Sequence, residues 1–136
     1  MLGSIIVLVV VVGCLDTTPP PMPVLVPHHR VTVGEITAEF EANEYAATQK
    51  YTDKATAVSG YVHDIGMTLD KIPLVKLVQQ PRDTTFGPAV ICYFAKSYAH
   101  PGLAELRKGD YATIVGIFLT YADIFETVYL GMSRIE

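Results

Sequence analysis

The chain has 136 residues, half of them hydrophobic, which supports one packed core and leaves too little apolar surface for a second domain. Formal net charge is −4, with the acidity concentrated in Glu35, Glu39, Glu41 and Glu44 and with acidic and basic residues in balance from Lys54 onward. Such a chain lacks the broad positive field on which non-specific nucleic-acid binding depends, and its histidines and cysteines show no CxxC or HxxxH spacing that would suit zinc.

Residues Leu2 to Leu15 run apolar, interrupted by Gly3, Ser4 and Gly13. The run is shorter than the roughly 20 residues a spanning helix needs and has the length of a signal-peptide core. It ends in Val11-Val12-Gly13-Cys14, which resembles a lipobox: a small residue before a cysteine whose sulfur takes a diacylglyceryl group. Residues 1–14 are therefore expected to be a signal peptide with Cys14 as the lipidated start of an exported protein, anchored at the cell surface or in the periplasm. Two alternatives stand beside this. No Lys or Arg precedes the run, as an export signal would have, so it could be a retained hydrophobic anchor or assembly segment. Its β-branched residues would also suit a buried strand.

Residues 15–31 form a proline-rich tether, because the five prolines between Thr17 and His29 fix backbone angles and remove donors. His28 and His29 fall within it and read as solvated. Thr32-Val33-Gly34-Glu35 then matches a capping box, with Val31 and Ile36 at the staple positions. A helix is expected from there to about Tyr51, with Ile36, Phe40, Asn43, Ala47 and Tyr51 on one face. Asn43 interrupts that stripe, so its amide is expected to be buried and bonded to backbone.

After Asp53 the period changes to alternation, with Thr56, Val58, Gly60 and Val62 on one face and Tyr61 and His63 on the other. A turn is expected at Asp64-Ile65-Gly66, a second strand over about Ile72 to Gln80, and a third over about Ala89 to Lys96. A short helix is expected from His100 to near Arg107, with Gly109 in the left-handed conformation after it. Strands over about Tyr111 to Leu119 and Phe125 to Ile135 complete the chain. Five strands with a helix between the third and fourth make a mainly β fold, the OB-fold barrel, over residues 32–136. Gly60 and Gly116 are expected where the barrel wall bends or a neighbouring backbone comes close.

The residues Phe40-x-x-Asn43, Tyr51-x-x-Lys54, Val58-x-Gly60-x-Val62, Val90-x-Cys92-x-Phe94, Leu106-x-x-Gly109-Asp110 and Ile114-x-Gly116 occur in order over about Ile36 to Ile135. In this the chain resembles the tRNA-anticodon-like OB-fold domains found in many exported and lipid-anchored proteins. The resemblance implies the OB-fold without implying RNA binding. That family often carries a cysteine in the last strand where this chain has Ser133, so it implies no disulfide or thiol role for Cys92, which reads as a small core residue.

OB-folds bind ligands across strands 2 and 3, between the loops after strands 1 and 4. With Val58, Val62, Cys92 and Phe94 inward, Tyr61, His63 and Tyr93 face outward, and with Lys76 and Arg82 they make a candidate aromatic and basic ligand site. A bland role for Tyr61 and Tyr93, supporting the sheet as a cross-strand pair, stays open. No catalytic set, metal ligand or cofactor motif emerges. The expected function is a lipid-anchored, non-catalytic binding module for a protein, glycan or small anion. The alternatives are an assembly subunit using a retained apolar N-terminus and a nucleic-acid-binding OB domain.

Overall fold

The computed structural model describes residues 18–81 and 87–136. Cys14, the apolar run before it and Arg82 lie outside the described residues. Strand β1 (His29–Thr32) leads into helices α1 (Val33–Ala42) and α2 (Glu44–Tyr51), then β2 (Ala55–Met67), β3 (Pro73–Val78), β4 (Ala89–Tyr93), β5 (Tyr111–Ala122) and β6 (Thr127–Ile135). Short 3₁₀ turns occupy Pro101–Leu103 and Asp123–Phe125.

Strands β2 to β6 form the expected five-stranded OB barrel, in the order β2-β3-β4-β6-β5 and closed by β2 against β5. The long β2 serves two walls: its first half, Ala55–Tyr61, pairs antiparallel with β5, and its second half, Tyr61–Met67, with β3. Strand β4 runs parallel to β6. Val58, Val62, Cys92 and Phe94 are buried together in one core with Ile36, Phe40, Tyr51 and Leu130, as the alternation predicted.

Both glycines sit where expected. A Cβ on Gly60 would lie 2.6 Å from Val33 Cγ2 and 2.9 Å from the Val78 carbonyl oxygen. One on Gly116 would lie 2.9 Å from both Leu130 Cβ and Ser133 Oγ, so the chain crosses at these points only without a side chain.

The capping box forms in full, with Glu35 N donating to Thr32 Oγ1 and Thr32 N donating to Glu35 Oε1. The single helix expected through Tyr51 is instead two. Asn43 is exposed and extended, and its Oδ1 accepts from Ala46 N at 3.0 Å, so it caps a new helix rather than filling a buried position in one.

Other boundaries move for local reasons. No turn forms at Asp64-Ile65-Gly66; β2 runs on to Met67, because an irregularity between Val62 and Asp64 absorbs the break in alternation. The 100–107 segment makes only one 3₁₀ turn. Its i→i−3 bonds, Leu103 N to His100 O and Leu106 N to Leu103 O, replace a helix too short to nucleate. Gly109 does adopt positive φ, at 94°.

The proline-rich stretch is extended but not free. Ala99 N donates to Pro20 O, Met22 is buried, Leu25 packs against Ala55, Ala57 and Val115, and His28 N donates to Ala55 O. Strand β1 follows, parallel to β2 over Thr56–Ser59. It pairs by backbone contacts that no local pattern announces, and it begins three residues before the domain boundary expected at 32. Among the described residues no helix is long and apolar enough to cross a membrane, and no group of three or more His, Cys, Asp or Glu could hold a metal.

Candidate functional site

The barrel's outer wall over β3, β4 and β6 is read from the strand register. Asp64, Lys76, Ile91 and Tyr129 stand in one row across β2, β3, β4 and β6, flanked by the inward rows Val62-Leu77-Val90-Val128 and Ile65-Val75-Cys92-Leu130. Period-two alternation puts the first row outside because its neighbours fill the core.

Above this row opens a cleft of about 440 Å³, lined by Lys76, Ile91, Tyr129, Thr127 and the turn carrying Ile124 and Phe125. That turn is built to hold apolar side chains in water. The 3₁₀ stretch Asp123–Phe125 ends at Glu126, in the left-handed conformation with φ 47°. Glu126 N donates to Asp123 O, Thr127 Oγ1 donates to Phe125 O at 2.8 Å, and Ala89 N donates to Glu126 O. Ile124 is left 88% exposed and Phe125 54% exposed, which nothing in the fold requires.

Of the residues expected to bind ligand, Lys76 lines the cleft directly. Tyr93 reaches it through Tyr129, on which it stacks with centroids 6.2 Å apart and planes 11° from parallel. Burial, then the neighbouring Tyr129 hydroxyl, pushes the Tyr93 hydroxyl up from the ordinary tyrosine range. His63 and Asp64 together oppose Lys76 across the irregularity in β2. Tyr61 belongs elsewhere: it pairs with Tyr111 across β2 and β5, edge to face at 5.0 Å. It is half-buried, like Tyr93, but supports a different wall, so among the described residues of the expected set Tyr61 stands apart from Lys76 and Tyr93.

The sequence reading missed Ile91, Tyr129 and the Ile124-Phe125 tip. Ile91 and Tyr129 carried a signal, each being the outward neighbour of an inward residue, Cys92 and Leu130. The tip carried another, two consecutive apolar residues in the loop after the fourth barrel strand. Among the described residues, Lys76 is the only basic one lining the cleft and Glu126 lines it too, so this described lining is apolar and close to neutral.

Cys92 lies under this wall. Burial pushes its thiol up to about 12, which leaves it protonated and inert, with Ser133 opposing that shift from the neighbouring strand. The Ser133 hydroxyl is enclosed and short of full hydrogen-bond geometry. The contact is a close polar neighbourhood inside the core.

Comparison with known proteins fits this architecture. Residues 4–129 match the family described as tRNA_anti-like. No curated protein sequence matches the chain. Among solved structures, a proposed nucleic acid-binding lipoprotein of Klebsiella pneumoniae superposes with a TM-score of 0.62 at 20% identity, over 79% of this chain and 90% of that one. The OBody AM3L09, bound to hen egg-white lysozyme, gives 0.44 at 21% identity over 73% and 90%. The OBody AM3L15, also bound to lysozyme, gives 0.45 at 17% identity over 87% and 96%.

Proposed function

The chain belongs to the tRNA_anti-like family, and from that premise we propose that it is a non-catalytic OB-fold binding module, exported and held at a membrane by lipid on Cys14. Its ligand meets the cleft of Lys76, Ile91, Phe125 and Tyr129. The observation that carries this is the exposed Ile124-Phe125 tip beside the aromatic and aliphatic wall of β4 and β6, on the face where OB-folds bind. The tip supplies a hydrophobic anchor, Tyr129 a flat surface to stack on, and Lys76 one charge to orient an acceptor group. That chemistry suits a protein or glycan surface with a single acidic group.

A nucleic acid is the second reading, favoured by the description of the Klebsiella lipoprotein. Against it, among the described residues of the cleft a strand of phosphates would meet one lysine offset by Glu126. Site-specific photo-crosslinking in living cells separates the two. A crosslinker at Phe125 is expected to trap a protein or glycan adduct that Lys76→Glu abolishes and that a crosslinker at Tyr61 does not form. A nucleic-acid adduct overturns the first reading, and adducts at both positions overturn the cleft as the site.

A further inference from the structure

The end of the barrel opposite the ligand cleft carries a second apolar surface. Met67, at the end of β2, is 64% exposed, and Leu69, in the turn that follows, is fully exposed. A shallow cleft lined by Ile65, Met67, Pro73, Leu103 and Ala104 joins Met67 to the Pro101–Leu103 turn. Lys96 Nζ donates to Asp70 O, which ties the β2–β3 turn to the segment after β4. Lys71 and Lys96 are exposed at this rim, with the carboxylates of Asp70 and, after Ala104, Glu105 also exposed.

The strap of chain before β1 reaches the same end. Ala99 N donates to Pro20 O, Pro21 bridges to Ala99, and a neighbouring cleft lined by Pro21 and Met22 shares His100 and Leu103 with the first. Leu15 to Pro20 are the residues between Cys14 and this fixed point. However they are arranged, seven Cα steps span at most about 25 Å. A domain of this size has a radius of gyration of only about 13 Å. A lipid on Cys14 therefore keeps the Pro21–Ala99 end within about 25 Å of the bilayer, less than the width of the domain, so this is the end that can reach the headgroups.

We infer that the Met67–Leu69 turn and the Leu103–Ala104 surface dock on the membrane, Leu69 inserting into the interface and Lys71 and Lys96 meeting anionic headgroups, so that the ligand cleft faces away from the bilayer. The inference rests on the lipid anchor proposed above. Exposed leucine and methionine beside lysines is the composition of an interfacial contact, in which apolar side chains sit about 5–10 Å into the headgroup boundary. Strand β4 connects the two surfaces, with Ile91 lining the ligand cleft and Tyr93 leading to the segment that carries the docking end.

The test uses the full chain, purified with its lipid and reconstituted in phosphatidylethanolamine–phosphatidylglycerol vesicles. Leu69→Cys and Ile124→Cys, both at exposed positions, are each labelled with an environment-sensitive dye; Cys92 is buried and does not react. The dye at 69 is expected to shift to the blue and to be quenched several-fold more by spin-labelled lipid than the dye at 124. Aqueous iodide should show the reverse order. Equal quenching at the two positions overturns the docking. So does protection of position 69 from iodide without lipid quenching, which would mean that protein covers it. Mass spectrometry of the same sample reads Cys14: an acylated cysteine with an aqueous Leu69 dye refutes the docking alone, and an unmodified cysteine refutes the anchor and the docking together.

Discussion

The two ends of the barrel are closed by different means. At one, α1 inserts Val33, Ile36 and Phe40, and Phe40 stacks among Tyr51, Phe118 and Tyr121 at 5.9, 5.1 and 4.9 Å. At the other, the Pro101–Leu103 turn lays His100 against Phe94, edge to face at 5.2 Å, with Leu103 only partly buried. A helix with an apolar stripe can plug a barrel completely, whereas one 3₁₀ turn cannot, so the second end leaves Met67 and Leu69 in water. Stability is concentrated where the helix sits, and the loosely closed end is free to make contacts outside the molecule.

The largest expected effect breaks that comparison or upholds it. Phe40→Ala removes the ring that three other aromatics touch and should cost about 4 kcal/mol in chemical denaturation, whereas Leu103→Ala should cost about 1–2 kcal/mol. Equal losses would mean the turn end carries as much of the core as the helix end. Next, Gly116→Val should cost about 3 kcal/mol, because its Cβ alone would already lie 2.9 Å from Leu130 Cβ. Gly60→Val should behave similarly and would also displace Val33, coupling the wall to the helix.

What the sequence made legible follows the same division. The helix end was announced by residues close together in the chain: Thr32 and Glu35 three apart, Ile36 and Phe40 four apart. The barrel strands were announced by alternation, which is equally local, and so the faces of Val58, Val62, Cys92 and Phe94 came out correctly. Strand β1 was hidden because its pairing with Thr56–Ser59 depends on the fold already being present. The irregularity beside His63 was hidden for the same reason. The ligand cleft gathers Lys76, Ile91, Phe125 and Tyr129 from three strands and a loop, and only the register of those strands brings them together. Of the residues expected to bind ligand, Lys76 lines the cleft and Tyr93 stacks on Tyr129 beside it, positions that follow from outward alternation in a central strand, a local property. Tyr61 stands on another wall, against Tyr111, because alternation says which face a residue takes, not which wall of a barrel.

The helix caps give a smaller effect. Thr32→Ala removes one half of the reciprocal capping box at the start of α1, the helix that carries Val33, Ile36 and Phe40 into the core, and should cost about 1 kcal/mol in thermal or chemical unfolding. Asn43→Ala removes a single exposed bond at the start of α2 and should cost less, about 0.5 kcal/mol. If the order reverses, the break between the helices matters more to the fold than the plug itself.

The smallest effect depends on pH and sharpens the contrast between the ends. Burial pushes the Glu39 carboxyl on α1 up, but hydrogen bonds from Lys50 and Tyr51, with the charge of Lys50 and the nearby His29 of β1, outweigh it and hold the group below the ordinary carboxylate range. Lys50 Nζ stands 2.5 Å from Glu39 Oε1, and the Tyr51 hydroxyl donates to the other oxygen. Since the group ionises more readily folded than unfolded, its contribution is complete above the unfolded value near 4.5 and is lost as pH falls through the lower folded value. Glu39→Gln should therefore flatten the acid limb of the curve of melting temperature against pH while leaving its shape near neutrality unchanged. Partial exposure of the pair keeps the effect modest. The acid loss should appear as earlier hydrogen exchange in α1 and α2, with the segment around Leu103 unaffected. Acid-induced opening that begins at the turn end, or parallel acid limbs for Glu39→Gln and the natural chain, would show that this cluster does not help to hold the helix plug in place.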